Sequence, residues 1–306
     1  MRTILLTATL SLALLSGCQN ADSRREATSL LGEPLLRPEL SANASERLEA
    51  NLAEAKARYD SDPADEMNAV WYGRRLAYLG RYRDAIDVFS KGIEANPRSY
   101  KLRRHRGHRY ITVRDFDNAI VDLATAELLM QGFPDESEPD GAPNAAGIPI
   151  GTTRTNILYH LGLANYLKGN FDEARRVYQR CWDASQNDDN RVSAGYWLVL
   201  CMQRAGSREQ IRPVVLSNIT RDMNIIENDV YHELLLGFKG DIAEGEVETS
   251  GGDGVQNATK AYGIAVWQFI NGDADTARRG FERIIHGGSW AAFGYIAAEA
   301  ELARLR

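Results

Sequence analysis

The stretch of sequence that decides the fold is residues 66–99, EMNAVWYGRRLAYLGRYRDAIDVFSKGIEANPRS. Its apolar residues recur at helical spacing, which predicts one helix over about 68–79 and a second over about 82–95. Gly80 ends the first helix because glycine tolerates the left-handed backbone of a helix C-terminus, and Pro97 stops the second. Small and large side chains in complementary positions let the two helices approach closely: Gly73, Ala85, Tyr82 and Phe89.

The same pattern returns with a period of 34 residues, and after an insertion it appears twice more. A helical hairpin of this period and composition is typical of the tetratricopeptide repeat (TPR). The recurring positions are Gly107, Tyr110, Phe116, Ala119, Leu123 and Ala126; then Leu161, Gly162, Gly169, Phe171, Ala174, Tyr178 and Cys181; then Ile264, Ala265, Gly272, Ala277, Phe281 and Ile284.

The repeat predicts an all-α TPR solenoid, a right-handed superhelix of helical hairpins. One hairpin cannot bury its apolar face alone, so hairpins stack, and the concave side becomes an extended surface for a protein or peptide. Stacking needs no polar centre for chemistry, which favours a binding function over catalysis.

Length and charge bound the function further. The protein has 306 residues, 44% of them apolar and 25% charged, as in ordinary globular proteins. Its formal net charge of −6 gives no overall attraction to nucleic acid or to anionic lipid.

The N-terminus predicts export and a lipid anchor. Met1–Gly17 carries one basic residue before the apolar run Ile4–Leu15, which is shorter than a membrane-spanning helix and is typical of a lipoprotein signal peptide. The end of this run, Leu-Ser-Gly-Cys at 15–18, resembles the bacterial lipobox, which implies diacylglycerol on Cys18 and a further acyl group such as palmitate on its amino group. Gln19 is not the Asp of inner-membrane retention, so the expected location is the periplasmic side of the outer membrane of a Gram-negative bacterium.

The mature protein then divides into four predicted segments. Residues 18–43 lack periodicity and are predicted to be a lipidated flexible tether. An N-terminal helix at 45–59 and TPRs 1 and 2 occupy 44–130, with that helix either capping the first repeat or contributing to a dimer contact. An insertion rich in Pro and Gly fills 131–154. TPR 3, degenerate hairpins at 207–220 and 222–238, a last TPR and an amphipathic capping helix at 289–303 fill 155–306.

Two features leave alternatives open. The insertion contains four prolines and four acids, Asp135, Glu136, Glu138 and Asp140, and a loop of this length is either functional or disordered. Cys181 and Cys201 fall on neighbouring helices, where they either form a disulfide in an oxidising compartment or serve as two small core residues.

The sequence offers no catalytic residues. It lacks the Gly-x-Ser-x-Gly, Walker A, His-Glu-x-x-His and Cys-x-x-Cys motifs, so no enzyme activity and no cofactor are predicted. His105 and His108 lie three apart on one predicted helix, but the cations around them oppose metal binding, and no metal site is predicted.

The basic run Lys101–Arg109 suggests a different role. In TPR proteins fixed positions of each first helix line the groove, and here those positions are cationic early in the sequence and aromatic later. Our hypothesis is that the groove holds an extended protein segment with acidic groups, or the C-terminus of a polypeptide; the alternative is a solvated basic face. The predicted groove residues are Arg74, Tyr78, Lys101, Arg104, His108, Tyr159 and Tyr166.

The layout resembles the NlpI-type TPR lipoproteins of the Gram-negative outer membrane. The resemblance rests on Cys18, the runs YWLVL at 196–200 and LLLGFKGDI at 234–242, and a last repeat with Ala277 and Phe281. The insertion departs from that pattern. The resemblance implies a homodimeric, non-catalytic adaptor that brings peptidoglycan hydrolases and a periplasmic protease together by raising their effective concentration.

The sequence therefore predicts a lipid-anchored periplasmic scaffold that binds other envelope proteins. A second hypothesis is a structural subunit of an outer-membrane assembly or secretion complex. An enzyme that uses the insertion is a third, although no nucleophile–base pair can be named for it.

Overall fold

Stacked helical hairpins make up most of the structure, a computed structural model that describes residues 24–141, 143–242 and 254–306. The α-helices in these ranges are α1 (Ala42–Ser61), α2 (Glu66–Tyr78), α3 (Tyr82–Ala95), α4 (Tyr100–Thr112), α5 (Phe116–Leu129), α6 (Thr153–Lys168), α7 (Phe171–Ala184), α8 (Asp188–Arg204), α9 (Ile211–Val214), α10 (Asp229–Lys239), α11 (Val255–Ile270), α12 (Ala274–Ile285) and α13 (Phe293–Arg304). Two short strands, β1 (Arg25–Thr28) and β2 (Pro34–Leu36), precede them, and 3-10 turns lie at Arg208–Gln210 and Leu216–Asn218.

The predicted all-α TPR fold is confirmed. Helices α2–α3, α4–α5, α6–α7 and α11–α12 form the four hairpins that the repeat predicts, and each of the first three packs on the helix that follows it in sequence. Gly80 ends the first hairpin's turn with a φ of 72°, the left-handed backbone that favours glycine. One apolar core runs through the whole stack, as expected when single hairpins cannot bury their own apolar faces.

The recurring glycines explain the period. A Cβ on Gly73 would lie 2.3 Å from the Phe89 ring, and one on Gly162 would lie 2.7 Å from the Tyr178 ring, so only glycine fits without a shift. The large residue that covers each glycine stands sixteen positions later on the second helix of the hairpin. This pairing sets the helix–helix distance in the first three repeats, and Ala265 takes the place of the glycine in the last one.

Helix α1 caps the first repeat. It packs on α2 through an apolar stripe that includes the buried Leu52 and Ala55. The helix begins earlier than predicted, because the Ser41 hydroxyl caps it by accepting a hydrogen bond from the Ala44 amide at 3.3 Å.

The predicted flexible tether is wrong for its described part. Residues 25–36 form an antiparallel β-hairpin in which Ala27 and Leu35 reach the common core. Glu26 is buried, pairs with Arg37 at 2.7 Å and accepts the Arg83 amide at 3.0 Å, which fixes the hairpin to the start of α3. Strands this short place too few residues inward for a period of two to be visible in the sequence.

The predicted helices at 207–220 and 222–238 are only partly correct. The first is a series of short helical turns around α9, which contains Pro213, a residue without a backbone N–H to donate. Residues 219–228 are non-helical, and helix α10 begins only at Asp229. The amides of 226–228 instead donate to a carboxylate on α8.

The last helix is not the amphipathic cap that the sequence predicts. Every residue of α13 from Gly294 to Leu302 is buried, including Glu299 and Glu301. The helix packs on α11 and α12 and also reaches α6, so it lies inside the superhelix. Glu301 pairs with Arg204 of α8 at 2.8 Å, and Glu299 pairs with Arg114 after α4 at 2.7 Å. Because other helices surround α13, it has no exposed polar face, and an amphipathic pattern does not describe it.

Cys18 and the leader lie outside the described residues. Among the helices that the structure does describe, none is both long and apolar enough to cross a bilayer.

Candidate functional site

The concave face of the solenoid is partly filled by the protein itself. The insertion covers one part of this face and α13 covers another, and a cavity of about 340 Å³ remains between them. Its walls come from α2, α4, α6, α7, α8, α10 and the segment before it, the insertion and the first residue of α13. The lining residues include Arg74, Arg104, Glu138, Asn156, Tyr159, Asn190, Glu227, Tyr231 and Phe293.

The insertion crosses the concave face as two extended arms, residues 134–141 and 147–153. The arms are joined by hydrogen bonds from the Glu138 amide to the Gly151 carbonyl at 3.0 Å and from the Thr153 amide to the Glu136 carbonyl at 2.9 Å. The second arm is held at Ile150, whose carbonyl accepts from the amide groups of Asn187 and Asn190 at 2.9 and 2.8 Å. The insertion is therefore a docked part of the fold.

The predicted cations of the groove contact the first arm. Arg104 pairs with Glu138 at 3.0 Å, and Lys101 lies 3.8 Å from the carboxylate of Glu136. Arg74 donates to the Pro139 carbonyl at 2.7 Å and to the Tyr78 hydroxyl at 3.2 Å. The structure thus places an extended acidic segment on these residues, and that segment belongs to the same polypeptide.

Arg104 is the most deeply buried of these cations, with 7% of its surface exposed. Burial lowers its pKa, and the Glu138 carboxylate opposes that shift. One Nη donates to Glu138, the other lies 3.0 Å from His105 Nδ1, and the Nε–H has no partner among the described residues. A buried donor without a partner costs free energy, so Arg104 has unused capacity to bind an acceptor.

His108 lies in an aromatic cluster at the inner end of the groove. Its ring centroid is 4.2 Å from that of His160 and 5.3 Å from that of Phe293 on α13. Burial lowers the pKa of His108 well below its ordinary value, and Arg109 lowers it further, so the ring is neutral at pH 7. His108 therefore adds an apolar surface to the groove rather than a positive charge.

Tyr159 forms the polar aromatic wall of the cavity. Its hydroxyl lies 2.8 Å from the Tyr231 hydroxyl of α10 and accepts from Trp197 Nε1 at 2.8 Å. Burial raises the pKa of Tyr159, so the phenol stays protonated and serves as a hydrogen-bonding group. The predicted role of Tyr159 in lining the groove agrees with this position.

The prediction for Tyr166 is wrong. Its side chain is fully buried, and its hydroxyl lies 2.8 Å from that of Tyr262 on α11. The rings of Phe171 and Trp197 pack edge-on against it. Because α13 and α11 close over this end of α6, the position that lines the groove in an open solenoid lies here in the core.

A buried carboxylate holds the far wall of the cavity. Asp189, on the first turn of α8, is 1% exposed and accepts hydrogen bonds from the amides of Ile226, Glu227 and Asn228 at 2.9, 2.8 and 2.9 Å. These bonds fix the segment that presents Glu227 and leads into Tyr231.

Cys181 and Cys201 are free thiols in the structure, which therefore has no disulfide between them. Cys181 lines the cavity with its Sγ 3.6 Å from the Thr155 carbonyl oxygen. Cys201 lies on α8 and is fully buried. Burial raises the pKa of Cys181 to about 12 and also raises that of Cys201. Both behave as small core side chains, since each lies inside the packing of its own helix pair.

Sequence reasoning missed much of the cavity wall. Repeat positions point to Tyr159, but Glu227 and Phe293 come from segments without repeat periodicity, and no local signal marks them. The acids of the insertion and the cations of the groove are both visible in the sequence, whereas the contacts between them are not predictable from it. Across the described ranges, no group of three or more His, Cys, Asp or Glu side chains is arranged to hold a metal ion.

Comparison with known proteins identifies one repeat. The tetratricopeptide-repeat family model matches residues 157–185, which are most of α6 and all of α7. No curated protein matches the sequence.

Several solved structures are similar in part. YrrB, a TPR protein described as having an unusual peptide-binding site, shares 12% identity over 76% of this chain and 91% of its own, with a TM-score of 0.43. A TPR protein from Parabacteroides merdae shares 14% identity over 84% of this chain and 93% of its own, with a TM-score of 0.46. MamA shares 20% identity over 55% of this chain and 83% of its own, with a TM-score of 0.39. The family match at 157–185 agrees with the repeat that the sequence predicts there.

Proposed function

We propose that this protein is a lipid-anchored adaptor on the periplasmic side of the outer membrane, which binds extended acidic segments of other envelope proteins at its concave face. TPR proteins act in protein–protein interactions, and the family match at 157–185 supports that general role here. The observation that carries the finer proposal is the contact of three cations with an extended acidic segment: Lys101 lies near Glu136, Arg104 pairs with Glu138, and Arg74 donates to the Pro139 carbonyl. Peptidoglycan hydrolases and a periplasmic protease are the partners that the resemblance to NlpI-type lipoproteins suggests.

The mechanism needs no catalytic group in this protein. A groove that holds one segment of each partner raises the local concentration of the partners, and an anchor confines the complex to the membrane surface. The cavity beside the cations, walled by Tyr159, Tyr231 and Phe293, gives room for apolar side chains next to the bound acids.

Site-specific photo-crosslinking in cells tests the adaptor role. A photo-crosslinking residue placed at Ser193, which lines the cavity, is expected to capture a small set of periplasmic proteins. The matched control places the same residue at Arg176, which is exposed on α7 away from the cavity. Adducts at Arg176 but none at Ser193 would reject the concave face as the binding surface. A single partner recovered in equal amount to this protein would support the assembly-subunit hypothesis instead.

The lipid anchor has a separate test. Changing Cys18 to Ser removes the thiol that the lipobox pattern assigns to diacylglycerol, so labelled fatty acid should no longer enter the protein. The variant should also leave the outer-membrane fraction. Unchanged labelling and sedimentation would reject the anchor while leaving the groove proposal standing.

A further inference from the structure

The first arm of the insertion binds the groove as a partner peptide would. The Glu138 carboxylate pairs with Arg104 and accepts a hydrogen bond from the Asn156 side-chain amide at 3.2 Å. The Glu136 carboxylate pairs with Lys101. Its backbone contacts are the Pro139 and Gly141 carbonyls, which accept from Arg74 and Arg75 at 2.7 and 3.3 Å. The carboxylates make contacts that depend on sequence, whereas the carbonyl contacts are open to any extended segment.

The spacing of the acids matches the spacing of the cations. Glu136 and Glu138 are two residues apart in an extended arm, so their side chains point the same way and are separated by roughly 6.7 Å along the arm. Lys101 and Arg104 are three residues apart on α4, so their Cβ atoms are about 5–6 Å apart on one face. An acid–any residue–acid segment therefore fits this helix face in one register.

The arm is held mainly by polar contacts. Two large apolar residues of the insertion, Phe133 and Ile148, are each 52% exposed and lie outside the main apolar core, while Ile150 is half-buried at the cavity. The Glu136 side chain is 59% exposed, and a solvated ion pair of this kind contributes only about 0–1 kcal/mol. An external segment with the same groups can replace such contacts one for one, and the Nε–H of Arg104 offers it a further donor.

We infer that the insertion is an internal ligand of the groove, and that partners carry an extended acid–any residue–acid segment that displaces its first arm. This inference rests on the proposed function and specifies its partner. An internal ligand lowers the apparent affinity for every external segment by the same factor, the fraction of molecules whose groove is open. The insertion thereby raises the intrinsic affinity that a partner segment needs in order to bind.

The test uses the full-length protein in detergent and a labelled peptide with the sequence of residues 134–141, PDESEPDG. Changing Glu136 and Glu138 to Gln weakens the internal ligand while leaving the cations in place. We expect this double variant to bind the peptide about tenfold or more tightly than the unmodified protein does. The control variant, Glu173→Gln with Glu282→Gln, removes the same charge from two exposed helix pairs and should leave the affinity unchanged. A peptide with both glutamates replaced by Gln should bind neither protein well.

Hydrogen exchange in the unmodified protein gives a second readout. Displacement breaks the bonds between the arms, so the peptide should accelerate exchange of the Glu138 and Thr153 amides. Glu136→Gln alone changes an exposed side chain, so it keeps the affinity test valid if the double variant fails to fold.

Two results would overturn the inference, and they differ in what they say of the adaptor. If the peptide binds the unmodified protein and the double variant equally, with exchange unchanged, the groove accepts a ligand beside the insertion, and the proposed function survives. If the peptide binds neither protein, acid-pair recognition is wrong, and crosslinking at Ser193 alone then decides whether the cavity binds partners.

Discussion

Changing Glu299 to Ala is expected to lower the free energy of unfolding by about 3–5 kcal/mol, the cost of leaving a buried charge without its partner. The Arg114 and Glu299 side chains are 3% and 1% exposed and approach to 2.7 Å. Glu299 also accepts the backbone amide of Leu30 from the β-hairpin. Arg114 donates to the carbonyls of Thr112 and Trp290 at 2.6 and 2.9 Å. The pair therefore joins α13, the end of α4 and the N-terminal hairpin.

Chemical denaturation measures this effect, and two further variants test its cause. Glu173→Ala removes an exposed acid from a surface pair and should cost no more than about 1 kcal/mol. Replacing Arg114 with Met together with Glu299 with Leu should cost less than Glu299→Ala alone, because the double change leaves no uncompensated charge. If the losses of stability from Arg114→Met and Glu299→Leu, measured separately, add up to the loss in the double variant, the two residues do not act as a pair.

The second large effect is expected for Asp189→Ala. The change removes the acceptor of three backbone N–H groups, at Ile226, Glu227 and Asn228, and leaves them to find water. Each unpaired donor costs about 1–3 kcal/mol when it is shielded from solvent, so a loss of at least about 3 kcal/mol in the free energy of unfolding is expected. The carboxylate also lies at the positive end of α8, which adds to its stabilising effect.

The neighbouring acid supplies the control for this prediction. Asp188 accepts one amide, that of Asn224 at 2.9 Å, so Asp188→Ala should cost about 1 kcal/mol. Hydrogen exchange should also become faster at the amides of 226–228 in the Asp189 variant and remain slow there in the Asp188 variant. Equal losses of stability in both variants would contradict the assignment of Asp189 as the residue that holds this wall.

These two carboxylates show where the sequence stops being informative. Glu299 lies in a helix whose sequence suggests an ordinary amphipathic cap, yet its partners are residues more than 170 positions away. Asp189 lies in the first turn of α8, where an acidic residue is common, so its sequence position explains the residue type but does not reveal its contacts. Neither partner set follows from local spacing, because each is created when distant segments meet.

On the concave face, too, some features follow from the sequence and others do not. Repeat positions predict that Arg74, Lys101 and Arg104 face the groove, since the period fixes which side of each first helix points inward. In the structure Arg74 and Arg104 line the cavity, and Lys101 lies near Glu136. The repeat positions fail at Tyr166, where α13 and α11 cover the same position. The acids of the insertion are visible in the sequence, but their contact with these cations depends on how a segment without periodicity folds back.

The sequence by itself determined the solenoid, because the first three hairpins each pair a glycine with a large residue sixteen positions later, and the last hairpin has Ala265 and Phe281 at the same spacing. Only the tertiary structure decided what fills the concave face: the insertion on the cations, α13 within the superhelix, and the β-hairpin against α3 and α13. Those placements rest on buried ion pairs and backbone hydrogen bonds between segments that are far apart in sequence, and no local pattern records them.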